Sequence, residues 1–187
     1  MIPSNNDSLL AALLSDCDRY MGETPVVPSP DAIIVSGDLI QGAPIGHRGW
    51  EAAIANQYQV AEAFLDNLVR RFLHGDRRKL VIVPGNHDVC RNTSLASMEL
   101  VPKLEYPEDV RKALLAPDSI YRWSWKELAL YRIRDAGEYS RRMVAYWDFV
   151  ERFYAGVPLL MPIDRSRDFQ LFELCDRQIV VAGFDDR

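Results

Sequence analysis

Two short stretches of this sequence carry side chains that could hold a metal ion and a phosphate. Asp38 closes the run Ala32-Ile-Ile-Val-Ser-Gly37, and Asn86-His87-Asp88 closes the run Leu80-Val-Ile-Val-Pro-Gly85. A carboxylate and an amide carbonyl are oxygen donors suited to a hard divalent cation. A histidine flanked by a carboxylate is the side chain that most readily gives or takes a proton near neutral pH.

The elements that must position these groups follow from the flanking residues. Each apolar, mostly β-branched run stops abruptly at glycine, the pattern of a short buried strand. Between them, Gln41 to Gly49 is rich in glycine and is expected to loop over the site. Trp50 to Leu73 then carries Ala53, Tyr58, Ala61, Phe64, Leu65, Leu68 and Phe72 at helical spacing, with Gly75 at the exit. Strand, helix, strand predicts a right-handed crossover joining two parallel strands. Ligands of open α/β sheets bind beyond the carboxyl ends of the strands, where Asp38 would lie beside Asn86 and His87. Singly, either stretch is also what a turn closed by an Asx side chain looks like. Together, in this order and one crossover apart, they are far more specific.

Gly37-Asp38 and Gly85-Asn86-His87-Asp88 resemble the second and third sequence blocks of the calcineurin-like metallophosphoesterases. The resemblance implies an α/β fold with a layered mixed β-sheet flanked by helices. It also implies hydrolysis of a phosphodiester or phosphomonoester by a hydroxide bridging two divalent metal ions (Mn, Fe, Zn or Ni). Asp38 would bridge the ions and Asn86 would ligate one through its carbonyl. His87 would face the leaving group, with Asp88 orienting its imidazole. His47, in the glycine-rich loop, is a further candidate for touching substrate; Arg48 and Arg91 are weaker phosphate candidates. His74, at a helix end, is given no catalytic role.

The family pattern also has an Asp-x-His block before these two and histidine blocks after them. Here only Met1 to Asn5 precede the first expected helix, and His87 is the last histidine. The expectation is therefore a truncated domain, residues 1–187, that needs a missing segment or another chain to complete its site. A lost first strand would leave an open apolar sheet edge, which predicts marginal stability or self-association.

The rest of the chain sets bounds. With 187 residues, 48% of them hydrophobic and 26% charged, it is long enough to bury a core and too apolar to be disordered. A net charge of -5 argues against a surface that coats nucleic acid generally. Cys17, Cys90 and Cys175 are odd in number, widely spaced and read as free thiols. The absence of a signal pattern or a long apolar run predicts a cytoplasmic protein with no membrane partner. Residues 6–21 are expected to form a helix with a leucine stripe. Residues 92–156 are expected to form a helical insert, with a short helix near 107–115 and an apolar face through Tyr139, Met143, Tyr146, Trp147, Val150 and Phe153. Two strands are expected at 169–174 and 178–183. Two rival functions stand beside the phosphoesterase: a non-catalytic regulatory or interaction module, and a nuclease gripping single strands with the aromatic and arginine-rich residues after Tyr121.

Overall fold

The computed structural model describes residues 6–167 and 169–184. Its centre is the strand-helix-strand unit. Strand β1 (Ile33–Val35) and strand β2 (Leu80–Ile82) pair in parallel with Ile33 opposite Leu80, and Val83 N–H extends the ladder to the Val35 carbonyl at 3.0 Å. Every residue of β2 is buried, as expected for a short β-branched strand covered on both faces. Helix α2 (Trp50–Phe72) connects the two strands and buries Ile54, Tyr58, Ala61, Leu65, Leu68, Val69 and Phe72, a stripe at the three- and four-residue spacing the sequence predicts.

Before this unit, helix α1 (Asn6–Met21) lays Leu10, Leu14 and Cys17 against the core while leaving Leu9 and Leu13 largely exposed. After it, residues 92–156 keep helices: α3 (Arg91–Ala96), α4 (Val110–Leu114), α5 (Ala136–Ser140) and α6 (Val144–Phe153). They also hold something the sequence reading did not anticipate, a three-stranded antiparallel sheet of β3 (Met98–Leu100), β4 (Tyr121–Ser124) and β5 (Ala129–Ile133), in the order β3-β5-β4. The expected apolar face from Tyr139 to Phe153 is real but is divided among α5, one 3₁₀ turn and α6.

Helix α6 supplies much of the core. The ring of Phe149 stacks on Tyr58 of α2 at 5.1 Å, and Phe153 and Tyr154 meet edge to face at 5.1 Å. The edge of β2 away from β1 has no further strand beside it among the described residues. Instead the hydroxyls of Tyr154 and Tyr146 donate to the Leu80 and Ile82 carbonyls. Burial holds the Tyr154 hydroxyl far above its ordinary pKa, so it remains a donor. The chain closes with an antiparallel hairpin of β6 (Phe169–Leu174) and β7 (Ile179–Phe184), which buries Phe172 and Leu174. The fold is thus α/β, with sheets flanked by helices.

Candidate functional site

Both strands of the central pair end in a turn, and the two turns touch. Gly37 has φ +101°, and Asp38 follows in the left-handed region at φ +55°, a conformation aspartate tolerates better than most residues. A Cβ on Gly37 would sit 2.5 Å from the Gly85 Cα, so only glycine lets the two backbones approach this closely. Across that seam the His87 backbone N–H donates to Asp38 Oδ1 at 2.9 Å, joining residues 49 apart in sequence. Asp38, Asn86 and His87 are all exposed at this edge. Asp38 and His87 thus meet at the strand ends, with Asn86 one residue before His87.

Asp88 stands differently. The resemblance gives it the task of orienting the His87 imidazole, but its carboxylate turns inward and is 2% exposed. Oδ2 accepts from Gly85 N–H at 2.8 Å and Leu39 N–H at 3.4 Å, and Oδ1 accepts from the Tyr58 hydroxyl at 3.1 Å. Folding back on Gly85, three residues earlier, satisfies the turn's own backbone, Leu39 and Tyr58 from the preceding crossover hold the carboxylate there, and once buried it has no path to the exposed ring. Burial raises the Asp88 carboxyl above the usual range, and the backbone N–H groups and Tyr58 oppose that shift. Burial, with the neighbouring Asp88, also keeps Tyr58 a hydroxyl. Asp88 therefore locks the turn that presents Asn86 and His87.

The imidazole is held from elsewhere. His87 Nδ1 lies 3.0 Å from the Gln41 carbonyl oxygen. Gln41 opens the loop that leads into α2, and two side chains fix that loop. Gln57 of α2 accepts from Gln41 N–H at 2.8 Å and donates to the Gly42 carbonyl at 3.0 Å. Asn92 of α3 accepts from Gly46 N–H at 2.8 Å and donates to the Pro44 carbonyl at 3.2 Å. A cleft of about 270 Å³ lies between loop and turn, lined in part by Gln41, Pro44, Asn86, His87 and Arg91. Sequence reading missed Gln41, Gln57 and Asn92; polar residues at loop and helix starts carry no signal until their partners are known.

His47 sits further along the loop. It is exposed, its N–H donates to the Pro44 carbonyl, and no hydrogen bond among the described residues joins its ring to Asp38, Asn86 or His87. His74 is exposed just beyond α2 at φ +53°, away from the site.

A family model described as calcineurin-like phosphoesterase matches residues 5–161. The chain belongs to the calcineurin-like phosphoesterase family. No curated protein and no solved structure matches it. This family acts on phosphate esters and is generally dependent on a pair of metal ions. Asp38 and Asn86 are oxygen donors on one exposed edge. They fall short of a dinuclear ligand set: among the described residues no three His, Cys, Asp or Glu side chains converge on one point. No helix among the described residues is long and apolar enough to cross a membrane.

The arginines of the insert are largely engaged within it. Arg122 donates to the Tyr139 hydroxyl at 2.9 Å, Arg142 lies over the Tyr139 ring at 4.0 Å, and Arg132 and Arg134 both pair with Glu99. Trp125 is the exposed aromatic of this section, at 82%.

Proposed function

We propose that this protein hydrolyses a phosphodiester or phosphomonoester at the strand-end seam, with His87 on the leaving-group side and Asp38 and Asn86 toward the metal centre. One observation carries the reading: the bond from His87 N–H to Asp38 Oδ1, which brings the two family blocks onto one exposed edge. Metal ions of this family would supply the hydroxide and neutralise the phosphoryl oxygens. The chain's own contribution is definable without them. The Asp88 lock and the Gln41 carbonyl hold the imidazole at the mouth of the cleft, where its far nitrogen can protonate or hydrogen-bond the departing oxygen.

The shortage of ligands among the described residues supports a further part of the proposal, that another segment or another chain completes the centre. The pairing of Arg122, Arg132 and Arg134 within the insert weighs against a nuclease that grips strands there. The expected location is cytoplasmic.

The test is hydrolysis of bis(4-nitrophenyl) phosphate and 4-nitrophenyl phosphate by the purified chain with added Mn²⁺. Turnover is expected to vanish with chelator and to fall at least about 100-fold in Asp38→Asn and His87→Ala. Turnover that survives both substitutions would sink the reading. No turnover under any loading would favour a non-catalytic module that keeps the fold.

A further inference from the structure

His87 has two ring nitrogens, and the structure engages one of them. The partner of Nδ1 is a backbone carbonyl, which can only accept, so the proton of the neutral ring must sit on Nδ1 for this 3.0 Å contact to be a hydrogen bond. That leaves Nε2 to face substrate: when the ring takes up a second proton it is Nε2–H that can be given to a leaving oxygen, while Nδ1–H stays on the Gln41 carbonyl. The carbonyl does not hold itself in place: it belongs to a loop with glycines at 42, 46 and 49, all at positive φ.

Gln57 is what fixes its near end. One side-chain amide spans two consecutive loop residues, taking the N–H of Gln41 and giving to the carbonyl of Gly42, so both ends of the amide dipole are used. Gln57 is half-buried on α2 between Ile54 and Tyr58, two core positions, so its backbone is rigid. The stapled segment also lies against His87 itself, since a Cβ on Gly42 would come within 3.4 Å of the His87 carbonyl oxygen.

We propose that Gln57 is a positioning residue for His87: it staples Gln41-Gly42 so that the Gln41 carbonyl fixes the imidazole with hydrogen on Nδ1 and Nε2 turned to the substrate. The proposal rests on the phosphoesterase reading for its catalytic meaning, and its first test does not.

The experiment is a nitrogen-proton correlation spectrum of the ¹⁵N-labelled full chain, at a pH of about 9 where imidazoles are neutral. Its three histidines are assigned by His47→Ala, His74→Ala and His87→Ala. Wild-type His87 is expected in the Nδ1–H form, and Gln57→Leu is expected to move it toward the Nε2–H form that a free side chain prefers. Gln57→Glu, which keeps the bond to Gln41 but sets an oxygen against the Gly42 carbonyl, is expected to move it the same way by less. It serves if the leucine variant does not fold. Turnover with added Mn²⁺ is expected to fall about tenfold in kcat for phenyl esters, less for 4-nitrophenyl esters whose leaving group needs no proton, with KM within about twofold. An Nε2–H ring in the wild type, or an unchanged tautomer in the folded variants, overturns the proposal. If the wild type hydrolyses nothing, the chain alone is not the phosphoesterase, and the spectrum still decides whether Gln57 positions the ring.

Discussion

A methyl group added at Gly85 would meet the backbone nitrogen and Oδ1 of Asp38, each 2.3 Å away. No rotamer change relieves a clash with backbone, so the strand ends must separate and Asp38 must leave His87. Gly85→Ala is expected to lower the unfolding free energy by about 2 kcal/mol in urea titration. It should also abolish phosphoesterase turnover, because the 2.9 Å bond across the seam cannot persist. Gly46→Ala is the comparison: its Cβ meets open space and only the positive φ resists, so about 1 kcal/mol is expected with turnover retained. Glycine in both motifs is therefore a steric demand of the seam, separate from the chemistry of the residues that follow it.

At the scale of elements, the 3₁₀ turn Arg77–Lys79 feeds β2 and begins at Asp76, whose carboxylate accepts from Arg78 N–H at 3.0 Å and pairs with its guanidinium at 2.7 Å. The Arg78 side chain holds the Asp76 carboxyl below its usual range. A lowered carboxyl contributes stability above the unfolded-state pKa, about 4, and loses it as pH falls through the folded value. Asp76→Asn should therefore lower the thermal midpoint at pH 7 slightly, as befits so exposed a pair, and the difference should vanish in acid. Comparing midpoints at pH 7 and pH 3 checks it. The elements also show what a sequence can reveal. Helix α2 was legible almost to the residue, because its apolar stripe is a local pattern. So was the meeting of Asp38 with His87, because both close a strand. The inward turn of Asp88 was not, since it depends on Leu39 and Tyr58, far off in sequence. Nor was the β4-β5 hairpin: its turn, Trp125 to Leu128, holds no glycine, proline or asparagine, and Leu128 alone takes a positive φ.

For the molecule as a whole, the two sides of the central strand pair are unequal. β2 has β1 on one side and tyrosine hydroxyls on the other, whereas among the described residues β1 pairs with β2 alone, and Ile34 is 55% exposed at its middle. With Leu9 and Leu13 of α1 also uncovered, self-association through this side is expected. Light scattering should show a molar mass rising with concentration, and Ile34→Lys should weaken the association about tenfold. A monomer at every concentration would remove the idea. The parallel register has one more consequence, set by the direction in which a chain is made. Ile33 pairs with Leu80, so roughly 47 residues separate the birth of β1 from the birth of its partner. At ribosomal speeds of 5–20 residues per second that is about 2–9 s. Throughout that interval the nascent chain presents an unpaired apolar strand, with α1 already made beside it. Its vulnerability to misassembly is set by the length of the whole crossover, loop and α2 together, long before any substrate is met.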